Sequence, residues 1–173
     1  MIRKEVINLN RYIVLIEAVI FMAFFTALVI IPSIKHPEAG VHNYPPEIQE
    51  EYFKHHPRIP TAPLSARTIA VKALSILLFT AILTVGAILA GAKDFWDGAL
   101  FAAVLFAVVG AWDTFFIDWV LFAHLKIFRL PGTEHMDKEY SQKWFHVKGM
   151  LFPGLLFLVI ISALTGLLVS IIK

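Results

Sequence analysis

The chain has no cysteine among its 173 residues, which removes disulfides, thiolate metal sites, iron–sulfur ligation and thiol catalysis together. Charge is scarce as well. Asp, Glu, Lys and Arg make up 16% of the residues and leave a net charge of +2, with no long run of one sign, so nothing marks a nucleic-acid partner. No H-E-x-x-H, paired histidine box or comparable mechanism-bearing spacing occurs. No internal repeat or low-complexity tract is evident either.

What the chain has in quantity is apolar side chains, 58% of the total. They gather in four stretches, about 12–34, 68–92, 99–125 and 150–172, each of the ~20 residues needed to cross a hydrocarbon core. The expected fold is an all-α integral membrane protein, a single domain over residues 1–173 with four transmembrane helices. Short amphipathic surface helices are expected in the two long polar loops, 35–67 and 126–149, which four spans place on one side of the membrane. Arg3, Lys4 and Arg11 precede the first stretch as they would in a signal peptide. Its length, the presence of Glu17 and the lack of a small-x-small cleavage site make it a retained span.

The loop after the first span carries six prolines (Pro37, Pro45, Pro46, Pro57, Pro60 and Pro63), which bar a continuous helix. Pro45-Pro46 followed by Glu47 to Lys54 is a helix start with proline and acid in the first turn, and Ile48, Tyr52 and Phe53 would lay that piece on the membrane surface. Gly86-x-x-x-Ala90 and Ala87-x-x-x-Gly91 give the second span a close-packing face. Lys93 to Gly98 form the short turn into the third span. After the turn at Leu130-Pro131-Gly132-Thr133, residues from Asp137 onward read as an amphipathic helix with Tyr140, Trp144 and Phe145 on its apolar face. Glu139 and Lys143 are spaced i,i+4 on it, and Gly149 and Pro153 bend it into the fourth span.

All seven histidines (His36, His42, His55, His56, His124, His135 and His146) fall in or beside the two long loops. Glu51 and His55, four apart on the short loop helix, are candidate ligands with His124, His135 and His146 for a divalent metal such as zinc or iron. A haem held axially by His124 and His146 is a second cofactor candidate.

Four ionisable residues lie within the spans: Glu17, Lys72, Asp113 and Asp118. Each costs at least ~2.5 kcal/mol at depth unless paired or hydrated, so all four are candidate ion- or substrate-binding residues. On an ideal α-helix Asp113 and His124 share a face to within about 20°, while Asp118 is rotated about 140° from Asp113. Lys72, at similar depth on the second span, is the expected ion partner of Asp118. Asp113 has no basic residue at its depth, and Thr26, Thr80, Thr84, Ser162 and Thr165 are the hydroxyls expected to reach it.

Three functions follow as expectations. An interior carboxylate site centred on Asp113 would bind or move a proton, a cation or a cationic solute. Alternatively, Asp118, His124, Glu134 and His146 would serve a membrane enzyme as acid, base or metal ligands toward a lipid-soluble substrate. In the third reading the chain is an accessory subunit and its polar residues fix packing. A homodimer or larger membrane complex is expected, because four spans enclose little space. Ten of the 15 Lys and Arg residues lie on the long-loop side, which points that side to the cytoplasm of a plasma or inner membrane.

Overall fold

The computed structural model describes residues 9–58, 65–152 and 154–173. Arg3, Lys4, Pro60, Pro63 and the bend expected at Pro153 lie outside the described residues. In chain order the elements are α1 (Arg11–Lys35), a 3₁₀ stretch (Pro37–Asn43), α2 (Pro46–His55), α3 (Ala66–Leu89) and α4 (Phe95–Trp112), which continues as a π-helical segment (Asp113–Phe122). A 3₁₀ turn (Lys126–Phe128), α5 (Asp137–Tyr140), α6 (Lys143–Leu151) and α7 (Gly154–Ile172) follow. No strand occurs among the described residues. Among the described residues, four helical runs are long and apolar enough to cross a membrane: α1, α3, α4 with its π continuation, and the run that ends in α7.

Local chemistry explains the helix ends. Asn10 Oδ1 accepts the Tyr12 and Ile13 N–H groups at the start of α1, and Ser65 Oγ accepts the Thr68 N–H at the start of α3, as N-cap residues do. α3 stops at Gly91, where φ is +97°. There the Ala92 N–H returns to the Ala87 carbonyl and the Gly91 N–H to the Ile88 carbonyl, the paired bonds of a glycine-terminated helix. α4 begins at Phe95, four residues earlier than expected, because Asp94 Oδ1 accepts the Asp97 N–H at 3.0 Å and Asp97 Oδ2 accepts the Lys93 N–H at 3.1 Å. What the sequence offered as a polar turn is an N-cap.

The chain forms two compact units. The first comprises residues 1–21, 62–108 and 154–173, the second 22–61 and 109–153. In the first unit α3 and α7 pack against each other, and Ala18, Leu83, Ala87, Phe101, Ala102, Leu105, Ile161 and Val169 belong to one buried core. Glycine makes the closest approaches here. A Cβ on Gly166 would lie 2.5 Å from the Phe95 carbonyl oxygen, and one on Gly98 would lie 2.8 Å from Val169 Cγ2.

In the second unit the two long loops fold onto each other. Val41, Tyr44, Ile48, Tyr52, Leu130 and Tyr140 form its core. The Tyr44 hydroxyl donates to the Phe128 carbonyl at 2.9 Å, and Gln142 Nε2 donates to Glu47 at 3.1 Å. Ile48 is fully buried and Tyr52 nearly so, so α2 spends these two residues on protein rather than on the membrane surface expected for them. Tyr140 behaves in the same way. Its hydroxyl accepts the Leu130 N–H at 2.9 Å and pairs with Thr133 Oγ1 at 2.7 Å. The single amphipathic helix expected from Asp137 is consequently broken into α5 and α6, and Trp144 is left exposed.

Candidate functional site

The π-helical segment carries Asp113 and Asp118. A π-helix closes its backbone bonds over five residues, as the Ala123 N–H to Asp118 carbonyl bond illustrates. Residues five apart therefore come into line, and the 140° rotation expected between the two aspartates on an α-helix does not apply. Asp118 and His146 are both electrostatic neighbours of Asp113.

Asp118 Oδ2 meets His146 Nδ1, from α6, at 3.1 Å. This is the partner that the sequence assigned to Lys72, whose side chain is exposed on α3. The side chains of His146 and Asp118 are 15% and 21% exposed, so the pair is shielded on most sides. With Nδ1–H directed at the carboxylate, Nε2 becomes the basic nitrogen of the ring. The arrangement can take up a proton at imidazole while the carboxylate stabilises the resulting charge.

Beside the pair lies a pocket of about 90 Å³ whose lining includes Asp118, Trp119, His124, Tyr140, Lys143 and His146. Lys143 Nζ stands 5.1 Å from the centre of the Trp119 ring, and the Trp119 indole N–H is buried without a partner among the described residues. Three of the four catalytic candidates, Asp118, His124 and His146, meet in this pocket. Glu134 does not. It is exposed and accepts the Gly132 N–H at 3.2 Å within its own turn.

The metal candidates separate. Glu51 Oε2 is bound by Lys54 Nζ at 2.6 Å, and that hydrogen bond holds the Glu51 carboxyl below its usual range. His55 and His135 are exposed. Among the described residues no group of three His, Asp or Glu side chains is placed to hold a metal ion. His124 and His146, the haem candidates, both line the same pocket, and His146 Nδ1 meets Asp118 Oδ2. His36 pairs with Glu38 at 3.5 Å, His42 lies against Phe53, and His56 stacks on Tyr52 with ring centres 4.1 Å apart.

Several residues of this region were read in the sequence as packing or surface groups. Tyr140 and Lys143 belong to the expected amphipathic helix. Arg129 was not singled out. It is buried, donates to the Ala123 carbonyl at 2.9 Å and to Asp137 Oδ1 at 3.0 Å, and lies 3.8 Å over the Tyr140 ring. Burial, reinforced by Tyr140 and opposed by Arg129, pushes the Tyr44 phenol well up. Thr26, one of the hydroxyls expected at Asp113, accepts the Trp112 indole N–H at 2.9 Å, and Thr80, Thr84, Ser162 and Thr165 belong to the first unit. No family model matches the chain, and neither a curated protein nor a solved structure gives a match.

Proposed function

We propose that the four long helices insert in a bilayer and that the chain binds or moves a proton through Asp113, Asp118 and His146. The observation that carries this reading is the 3.1 Å contact between Asp118 and His146 on a π-helical segment that also holds Asp113. A carboxylate at depth is expensive unless it is paired, hydrated or protonated, and an imidazole is the side chain that exchanges protons near neutral pH. In this mechanism Asp113 holds the proton at depth. Intervening water passes it to His146 Nε2, the Asp118 carboxylate holds the resulting imidazolium through its Nδ1–H, and Nε2 then releases the proton toward the loop side. The π-helix serves by bringing the two aspartates into line, which an α-helix would not do.

The test is proton flux in vesicles loaded with a pH-sensitive dye. Wild-type protein is expected to dissipate an imposed pH gradient, and Asp118→Asn and His146→Gln are expected to abolish that flux while leaving helical content intact. Equal flux from wild type, both variants and empty vesicles would overturn the proposal.

The pocket favours a second reading, in which Asp118 and His146 act as general base and Lys143 or Tyr140 as acid toward a lipid-soluble substrate. That reading no longer includes a metal centre. Lipid chemistry that disappears in His146→Gln without any proton flux in the wild type would select it. Stable co-purification with a larger complex, with neither flux nor turnover, would select the accessory-subunit reading. A homodimer remains part of the proposal, because four spans enclose little space.

A further inference from the structure

The pocket beside Asp118 and His146 offers more donors than the proton path uses. Two walls face each other across it. Asp118, Trp119 and His124 come from the end of the helical run that α4 begins, and Lys143 and His146 come from α6. Other polar atoms of the lining are already engaged: the Tyr140 hydroxyl by Leu130 and Thr133, Ser141 Oγ by the Asp137 carbonyl at 2.8 Å, and the Ala123 carbonyl by Arg129. What remains is one-sided. Lys143 forms no ion pair among the described residues and instead lies against the Trp119 ring. The Trp119 indole N–H is buried without a partner among the same residues.

The charges of the lining do not balance. It holds one carboxylate against one lysine and two imidazoles, and that carboxylate, Asp118, is already paired with His146. When His146 carries the proton, Asp118 neutralises it and Lys143 is left without a counter-charge. Buried donors are almost always paired, so the missing partner is an acceptor, and Lys143 requires it to be negative. Size narrows the choice. An apolar cavity of about 150 Å³ admits benzene, six heavy atoms, so one of about 90 Å³ admits roughly three to five. His124, Ser141 and Lys143 are exposed, which lets such a group enter while the rest of its molecule stays outside.

A planar carboxylate is matched by the fork of an arginine, whereas lysine binds phosphate as a point charge. The tetrahedral oxygens of a phosphate also face donors on two walls at once. We infer that this pocket binds the phosphate group of a phospholipid or of a soluble phosphate compound, with Lys143 as its counter-ion and Trp119 and His124 as further donors. Lipid is one of the two sources because, with the long helices in a bilayer, the loop end of the α4 run falls at the headgroup boundary. The inference deepens the proposed function by naming the group held beside the Asp118 and His146 pair, and it rests on that reading for the proton on His146.

The test follows thermal unfolding of the full chain in a phosphate-free detergent. One arm exchanges sodium chloride for inorganic phosphate at fixed ionic strength, and the other adds short-chain phosphatidic acid against the matching diacylglycerol, which lacks the phosphate. A saturable rise of the midpoint is expected in at least one arm, as for any ligand of the folded state. A rise with inorganic phosphate identifies a soluble source, and a rise with phosphatidic acid alone identifies a headgroup. Lys143→Met should raise the half-saturating concentration by about 10-fold or more, and Trp119→Phe, which keeps a ring and removes the N–H, by about fivefold. Lys148→Met removes the same charge from α6 outside the lining and should leave it unchanged. Retention of radiolabelled phosphate or phosphatidic acid by the wild type gives a second readout should a variant fail to fold. Two results would overturn the inference: a wild type that shows neither a saturable rise nor retention in either arm, or half-saturation that Lys143→Met and Lys148→Met move equally. Proton flux from a protein that binds no phosphate would end this inference alone, and binding without flux would end the proton path and leave the site.

Discussion

Asp118 and His146 stand 28 positions apart in sequence and 3.1 Å apart in space, one on a π-helical segment and the other on α6, near the end of the second long loop. Removing either partner should weaken the fold as well as the activity. His146→Gln and Asp118→Asn are each expected to lower stability, and the double variant should lose less than the two single losses combined. A coupling of about 0.5–3 kcal/mol is the range for residues in direct contact. Denaturant titration in detergent measures it, and strictly additive losses would show that the contact contributes nothing.

Asp113→Asn should retain fold and expression and lose proton uptake, because asparagine keeps the shape and hydrogen-bonding capacity of the neutral acid but cannot ionise. Infrared difference spectroscopy offers the check. A carboxyl band that responds to pH in the wild type should disappear in the variant, and an unchanged spectrum would detach Asp113 from the mechanism.

Glycine substitutions separate close helix approach from simple propensity. Gly166→Ala places a methyl group against the Phe95 carbonyl oxygen and should destabilise by about 1–3 kcal/mol, the usual range for overpacking. Gly149→Ala in α6 meets nothing within 4 Å and should be neutral, or stabilising by up to about 1 kcal/mol through helix propensity. Unfolding midpoints of the two variants compared side by side would test the contrast.

The loop core should loosen in alkali. Burial raises the Tyr44 phenol above its value of about 10 in the unfolded chain, so the folded state favours the protonated form. That contribution to stability is complete below about pH 10 and is lost as pH climbs toward the folded value. Tyr44→Phe should flatten this alkaline decline, at a cost of roughly 1 kcal/mol near neutral pH for the lost bond to Phe128. Tyrosinate absorbance recorded during a pH titration reports both effects, and a variant that declines as steeply as wild type would refute the assignment.

Because the chain has no cysteine, single cysteines introduced at Asn43 and Glu134 give a clean topology assay. Both positions are exposed in the second unit, and both should be labelled by a membrane-impermeant reagent from the same side. The charge asymmetry predicts that side to be the cytoplasmic one. Labelling from opposite sides would break the four-span topology.

The sequence by itself determined the number of long apolar helices and most of their extents. The expected stretch 12–34 is α1, Arg11–Lys35, and 68–92 is α3, Ala66–Leu89, displaced by two or three residues at each end. These features are legible because length and hydropathy are sums over neighbouring residues, so no distant contact has to be known. The start of α4 was missed for a local reason, since Asp94 and Asp97 look like a charged turn until one carboxylate is seen to cap the helix. The partner of Asp118, the protein-facing role of Ile48, Tyr52 and Tyr140, and the buried Arg129 were decided only by tertiary structure. Each depends on which of several competing neighbours a side chain meets after the two long loops fold together. The π-helical segment belongs to the same class, because a helix that widens over ten residues carries no periodicity signal of its own. Its consequence, the alignment of Asp113 with Asp118, reverses what 100° per residue implies.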